Sequence, residues 1–173
     1  MYRDGLVLVL AGMKRTGSTA QFNMVRLIVE EYTLHYNICE NYEQLKEGMI
    51  NIVKRHKFDK RILNCADQVF TSERDLDEIM KSYERFYGKP MTIEQMEDMT
   101  EHESKWLKCG GYFYSHFDQL KYNPMKEIAD LLRILEPMVR NYLVYLEFIK
   151  IKPPKTGQDQ KTLLFYNHIT AEE

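Results

Sequence analysis

The 173-residue chain has no cysteine framework: Cys39, Cys65 and Cys109 are odd in number and widely separated, and no C-x-x-C pair offers zinc or redox chemistry. Three free thiols of a reducing compartment are the expectation. A large excess of charge of one sign is also missing. The net charge of -2 excludes broad nucleic-acid binding, which needs many clustered cations, so any anion site has to be local. No long hydrophobic run occurs. The apolar stretch Leu6–Ala11 is too short to span a bilayer, and a charged, glycine-bearing turn follows it where a signal-peptide cleavage site would need small residues. The expectation is a cytoplasmic chain without a membrane span. No Pro/Gly/Ser-rich stretch divides the sequence into halves of core-forming size, which predicts one domain over 1–173. Metal-ligand spacing is absent too: His35, His102 and His116 fall in no pattern that points to a bound ion.

What is present is an alternation. Leu6–Ala11 is a continuous β-favouring run, the pattern of a strand covered on both faces, and it leads through a glycine turn into Ala20–Tyr32, where Phe22, Val25, Leu27, Ile28 and Val29 recur at roughly helical spacing. Asn41–Ile52 reads as a short amphipathic helix running into Ile52-Val53, where a strand ends at the charged Lys54–Lys57. Gln68–Ser72 is the next strand, and Asp75–Tyr87 the next helix, with Leu76, Ile79, Met80 and Tyr83 on one face. Thr92 is placed to cap an exposed helix or excursion over Pro90–Glu103. Gly110–Tyr114 reads as a turn into a strand, Pro124–Leu135 as a helix with Ile128, Leu131, Leu132 and Leu135 inward, and Val139–Ile151 as a helix. Pro153–Asp159 is a loop before an apolar patch at Leu163–Phe165. The alternation predicts an α/β fold, a P-loop-like three-layer α/β/α arrangement around a mainly parallel central sheet. Ligands in such folds bind outside the carboxyl ends of the strands, where Arg15, His56 and Arg74 all fall.

Gly12-Met13-Lys14-Arg15-Thr16-Gly17-Ser18-Thr19 places two glycines, two cations and three hydroxyls between a buried strand and a helix start, where uncapped N–H groups and the helix dipole favour an anion. The run nearly matches the nucleotide-binding G-x-x-x-x-G-K-[ST], but Ser18 stands where that motif has lysine. A plain glycine turn capped by Thr16 or Ser18 is the structural alternative.

Arg15-Thr16-Gly17-Ser18-Thr19 resembles the 5'-phosphosulfate loop of sulfotransferases that use 3'-phosphoadenosine 5'-phosphosulfate (PAPS). Lys54-Arg55-His56 resembles that family's K-T-H element, with Arg55 in place of threonine. Arg74 followed by Ser82 repeats the offset of eight in its 3'-phosphate site, and Lys155-Thr156-Gly157 faintly resembles its R-K-G loop, with Asn167–Thr170 resembling the N-H-x-T that follows. The resemblance implies that His56 is the general base, that Lys54 and Arg15 stabilise the leaving phosphosulfate, and that Lys14, Arg15, Thr16, Gly17, Ser18, Thr19, Arg74, Ser82 and Lys155 bind the nucleotide. It implies PAPS as donor, 3',5'-ADP as product, no metal, and a small-molecule or carbohydrate acceptor. Met91–Lys108 resembles nothing in the family.

These roles suit the chemistry. Sulfuryl transfer needs an in-line nucleophile, a base for its proton and cations for the leaving oxygens, and imidazole titrates near neutrality. Competing readings are a nucleotide or small-molecule kinase, or a nucleotide-binding module without catalysis. For single residues they are a surface histidine at His56, an ion pair of Arg74 with Asp77 or Glu78, and an exposed helical position at Ser82. Trp106, Tyr83 and Phe86 offer faces for adenine on aromaticity alone, and Tyr142–Tyr145 reads as core packing.

Overall fold

The computed structural model describes residues 5–108, 112–135 and 147–164. Five strands, β1 (Val7–Leu10), β2 (Tyr36–Cys39), β3 (Ile50–Lys54), β4 (Gln68–Glu73) and β5 (Tyr112–His116), form one sheet in the order β2-β3-β1-β4-β5. Every pairing is parallel, with Leu10 opposite both Lys54 and Phe70. Helices α1 (Ser18–Tyr32), α2 (Lys60–Cys65), α3 (Leu76–Tyr87), α4 (Ile93–Leu107), α5 (Phe117–Tyr122) and α6 (Pro124–Leu135) connect and cover it.

The continuous apolar run of β1 is explained by the two cores it serves. Leu8 and Leu10 join Phe22, Ile28, Leu120 and Leu131 on one face, while Val7 and Val9 join Val53, Ile62 and Trp106 on the other. Helices thus lie on both sides of the sheet, as the alternation predicts. Among the described residues no helix is long and apolar enough to cross a membrane. Cys39 and Cys65 are free thiols, and Cys109 lies outside the described residues.

Two expectations need correction. The helix read over Asn41–Ile52 is a single 3-10 turn, Tyr42–Gln44, capped by Asn41, followed by an irregular run into β3. Its preceding strand, Tyr36–Cys39, carries no long apolar run because it sits at the sheet edge beside β3. On α3, Ile79 and Tyr83 are buried, but Leu76 and Met80 are exposed, so the inward stripe is narrower than the spacing suggests. Other boundaries agree: Asp75 caps α3 through the Asp77 and Glu78 amides, Thr92 caps α4, and Ile128, Leu131 and Leu135 of α6 are buried. Residues 153–159 form an irregular segment; of the run 139–151 only 147–151 are described, as a helical turn, and residues 142–145 and 167–170 fall outside.

Chain order makes β1 a switch point. After α1 the chain builds β2 and β3 on one side of β1, then crosses to build β4 and β5 on the other. The carboxyl ends of β3, β1 and β4 therefore lie side by side.

Candidate functional site

The loop after β1 is shaped by close approach to β4. A Cβ on Gly12 would lie 2.7 Å from Ser72 Oγ and 3.0 Å from Ser72 N, so only glycine fits without displacement. Thr16 Oγ1 donates to Met13 O (2.8 Å) and accepts from Ser72 Oγ (2.8 Å), closing the loop on itself and tying it to β4. Arg15 (φ 69°) and Gly17 (φ 89°) both turn left-handed, which brings the chain sharply into α1. Gly17 is the N-cap and has no side chain to offer, and the first i to i−4 bond runs from Gln21 N to Gly17 O (3.1 Å). The amides of Ser18, Thr19 and Ala20 are left facing the loop, at the positive end of a 15-residue helix. Neither Thr16 nor Ser18 caps the helix, so the plain capped-turn alternative fails.

Cations converge on this loop from two strands. Lys54, the last residue of β3, reaches Ser18 Oγ at 2.5 Å and is 8% exposed. It makes no ion pair among the described residues, and burial lowers its pKa to about 7 against a weak opposing pull from Glu40. Arg15 donates from Nε to Ser82 Oγ (3.1 Å) and lies over the Phe86 ring (4.3 Å). Burial, with Arg85 and Arg74 nearby, brings Arg15 down to about 10. Arg74 pairs with Glu78 (2.8 Å), stacks on Phe117 (3.8 Å) and comes within 3.5 Å of Arg15 O. The ion pair foreseen for Arg74 is present, and the residue still faces the loop. Ser82, in contrast, is 2% exposed and is not a surface position.

His56 sits two residues beyond Lys54. Its Nδ1 lies 2.6 Å from Gly12 O, and a carbonyl only accepts, so Nδ1 carries the hydrogen and Nε2 keeps its lone pair. Burial first, then the charges of Lys54, Lys14 and Arg15, hold its pKa down to about 3, with the Gly12 bond pulling the other way. A neutral imidazole of fixed tautomer beside a cationic loop can accept a proton from a nucleophile.

Arg15, Thr16, Gly17, Ser18, Thr19, Lys54, His56, Arg74 and Ser82 are brought together; Lys14 shares the loop but is exposed. Lys155 is exposed on an irregular segment and makes no hydrogen bond or ion pair among the described residues. Trp106 cannot stack on a base, because it is fully buried beneath α4, edge-on to Phe58 at 5.0 Å. Sequence reasoning missed the roles of Ser72 and Phe117, although Ser72 stands two residues before Arg74 and so was in view. It also missed a cluster at the ends of β4 and β5, in which Tyr114 and His116 both bond the Glu73 carboxylate. Among the described residues no group of His, Cys, Asp and Glu is arranged to hold a metal ion.

No family model matches the chain, and no curated protein matches it. Solved structures do. Retinol dehydratase in complex with androsterone and the inactive cofactor PAP superposes with a TM-score of 0.56 at 13% identity, covering 84% of this chain and 64% of that one. Retinol dehydratase in complex with retinol and PAP gives 0.50 at 10% identity, covering 94% and 69%. The chain thus spans under two thirds of the length of the first of these. At such identity the likeness shows the fold, which is sulfotransferase-like, and the fold alone.

Proposed function

We propose that the protein transfers a sulfuryl group from PAPS to a hydroxyl or amine of a small-molecule or carbohydrate acceptor. One observation carries the reading: His56, held neutral by burial and the nearby cations and oriented by Gly12 O, stands beside an anion loop whose buried Lys54 makes no ion pair among the described residues. A buried, unpaired ammonium disfavours the free protein and is relieved by a bound anion, so the residues fit a phosphosulfate. The nucleotide found in both structural neighbours, PAP, is 3',5'-ADP, the product such a reaction leaves.

The amides of Ser18–Ala20, with Ser18 and Thr19 hydroxyls, would hold the 5'-phosphate end, and Lys54 and Arg15 would neutralise the oxygen that leaves. His56 Nε2 takes the proton from the acceptor as its oxygen or nitrogen bonds to sulfur. The bond from sulfur to the bridging phosphate oxygen breaks, and its electron pair leaves with 3',5'-ADP. Negative charge in the loop raises the proton affinity of both Lys54 and His56, which moves the imidazole toward the range useful for a base. Arg74 and Ser82 would read the 3'-phosphate, Arg74 by its guanidinium fork.

Calorimetry without magnesium tests this by comparing 3',5'-ADP with 5'-ADP. The wild type should prefer 3',5'-ADP by about thirty- to nearly a thousand-fold, from charge-assisted hydrogen-bond magnitudes, and Arg74→Ala should remove most of that preference while affecting 5'-ADP little. Equal binding of the two, or tighter magnesium-dependent ATP binding, would overturn the reading in favour of a kinase. Loss of turnover in His56→Ala, with 3',5'-ADP affinity kept within a few-fold, would separate a sulfotransferase from a module that only binds nucleotide.

A further inference from the structure

Arg55 stands where the resembled K-T-H element has threonine, and no step of the transfer uses it. Its surroundings give it work. The pairing of β2 with β3 ends at Cys39 and Val53, and β3 itself ends at Lys54. Arg55 N still reaches β1 at Leu10 O (3.0 Å), but His56 and Lys57 form an irregular bend before α2. A histidine on such a bend needs its backbone held if the ring is to keep one bond, here Nδ1 to Gly12 O (2.6 Å).

The Arg55 side chain supplies that hold. Its Nε donates to Lys57 O (3.1 Å), closing a ring across the backbone of His56. Its Nη1 donates to Glu40 O (2.8 Å) and to Asn41 Oδ1 (2.6 Å), both in the turn after β2. Its Nη2 lies 3.8 Å from Asp59 Oδ2 as an ion pair, and Asp59 in turn caps α2 by accepting from Arg61 N (3.0 Å). Near the far end of the bend, Phe58 N donates to His102 Nδ1 (3.2 Å). The arginine side chain is only 24% exposed, so water competes less for these bonds than at an open surface. A threonine hydroxyl is too short to span the two segments, and a lysine ammonium has no planar fork to divide among them.

We propose that Arg55 is a positioning residue for His56, its guanidinium tying the bend on both sides of the histidine to the turn after β2, so that the imidazole keeps its bond to Gly12 O and leaves Nε2 for the acceptor. That role rests on the reading of His56 as the base. Lys54 does not depend on the fork, because it is paired with Leu10 in the sheet. Alignment of the base and affinity for the nucleotide should therefore separate.

The test is the tautomer of His56, read by nitrogen NMR of histidine-labelled protein at neutral pH, free and with 3',5'-ADP. In the wild type His56 should be hydrogenated at Nδ1. In Arg55→Ala the ratio of Nδ1–H to Nε2–H should fall about two- to tenfold, the scale of one hydrogen bond lost. Arg55→Lys keeps the charge without the fork and should fall by a similar factor; it decides alone should Arg55→Ala fail to fold. Affinity for 3',5'-ADP, measured by calorimetry, should stay within a few-fold of wild type in both. An unchanged ratio in either folded variant overturns the proposal. A loss of nucleotide affinity larger than the change in ratio would mark a general loosening of the site and overturns it too. Failure of the wild type to bind 3',5'-ADP would instead overturn the sulfotransferase reading, while the free-protein spectra would still decide the link between Arg55 and His56.

Discussion

The loop after β1 and helix α4 are built on different terms. The loop is fixed by many short polar contacts, from Gly12 against Ser72, Thr16 to Ser72, Lys54 to Ser18 and Arg15 to Ser82, and it concentrates buried positive charge. Helix α4 is mostly exposed and is anchored by one fully buried side chain, Trp106, with a capping box at its start. One region is specified by polar contacts around buried cations, the other by an apolar anchor and local helix signals. Loss of an anchor should cost stability, whereas loss of a loop cation should cost binding and relieve the free protein.

The largest effect expected from that contrast is in Trp106→Ala. Truncating a fully buried aromatic should destabilise the protein by about 3–5 kcal/mol in denaturant unfolding, while the fraction that remains folded keeps its 3',5'-ADP affinity within a few-fold. A large loss of affinity with little loss of stability would abolish the distinction between the two regions.

Lys54→Met should behave in the opposite way. Affinity for 3',5'-ADP should fall by about ten- to a hundred-fold, the scale of one hydrogen bond to a charged group, yet the free protein should become more stable at neutral pH. The sign follows from linkage. The folded pKa of Lys54, about 7, lies below the ordinary lysine value of 10.5 of the unfolded chain, so between these the unfolded chain holds the proton that the fold excludes. Wild-type stability should therefore rise with pH across that window and be lost again as pH falls toward 7, and Lys54→Met should flatten the rise. The same shift predicts proton uptake: calorimetry at a pH above 7, in buffers of different ionisation enthalpy, should show up to one proton absorbed per 3',5'-ADP bound. Absence of uptake would mean that Lys54 is already charged in the free protein.

The smallest effect belongs to Thr92→Ala. Thr92 accepts from Gln95 N, and Gln95 returns a bond to Thr92 N, so the substitution should cost about 1 kcal/mol and speed hydrogen exchange in the first turn of α4. Nucleotide affinity should not change.

Much of the fold is legible in the sequence where a local pattern suffices. The run Leu6–Ala11 announces a strand buried on both faces, Asp75 and Thr92 announce helix starts, and Gly12–Thr19 announces a glycine turn into a helix. Tyr36–Cys39 is not legible, because an edge strand of four residues has too little apolar periodicity to separate from a loop. Nor is the 3-10 turn at Tyr42–Gln44, whose sequence continues in polar residues of good helix propensity. At the site, Arg15, Lys54, His56, Arg74 and Ser82 are pointed to by the family resemblance, while Ser72 is not, since a serine in a strand carries no distinguishing local signal.

The sequence by itself determined which residue types stand at the strand ends and that a glycine-rich turn opens a helix, because these depend on contacts a few residues apart. Only the tertiary structure decided which end of His56 carries the hydrogen, and that Lys54 is buried with no ion pair among the described residues. Those properties arise from parallel strands setting the ends of β1, β3 and β4 side by side, a relation not encoded in any one segment of the chain.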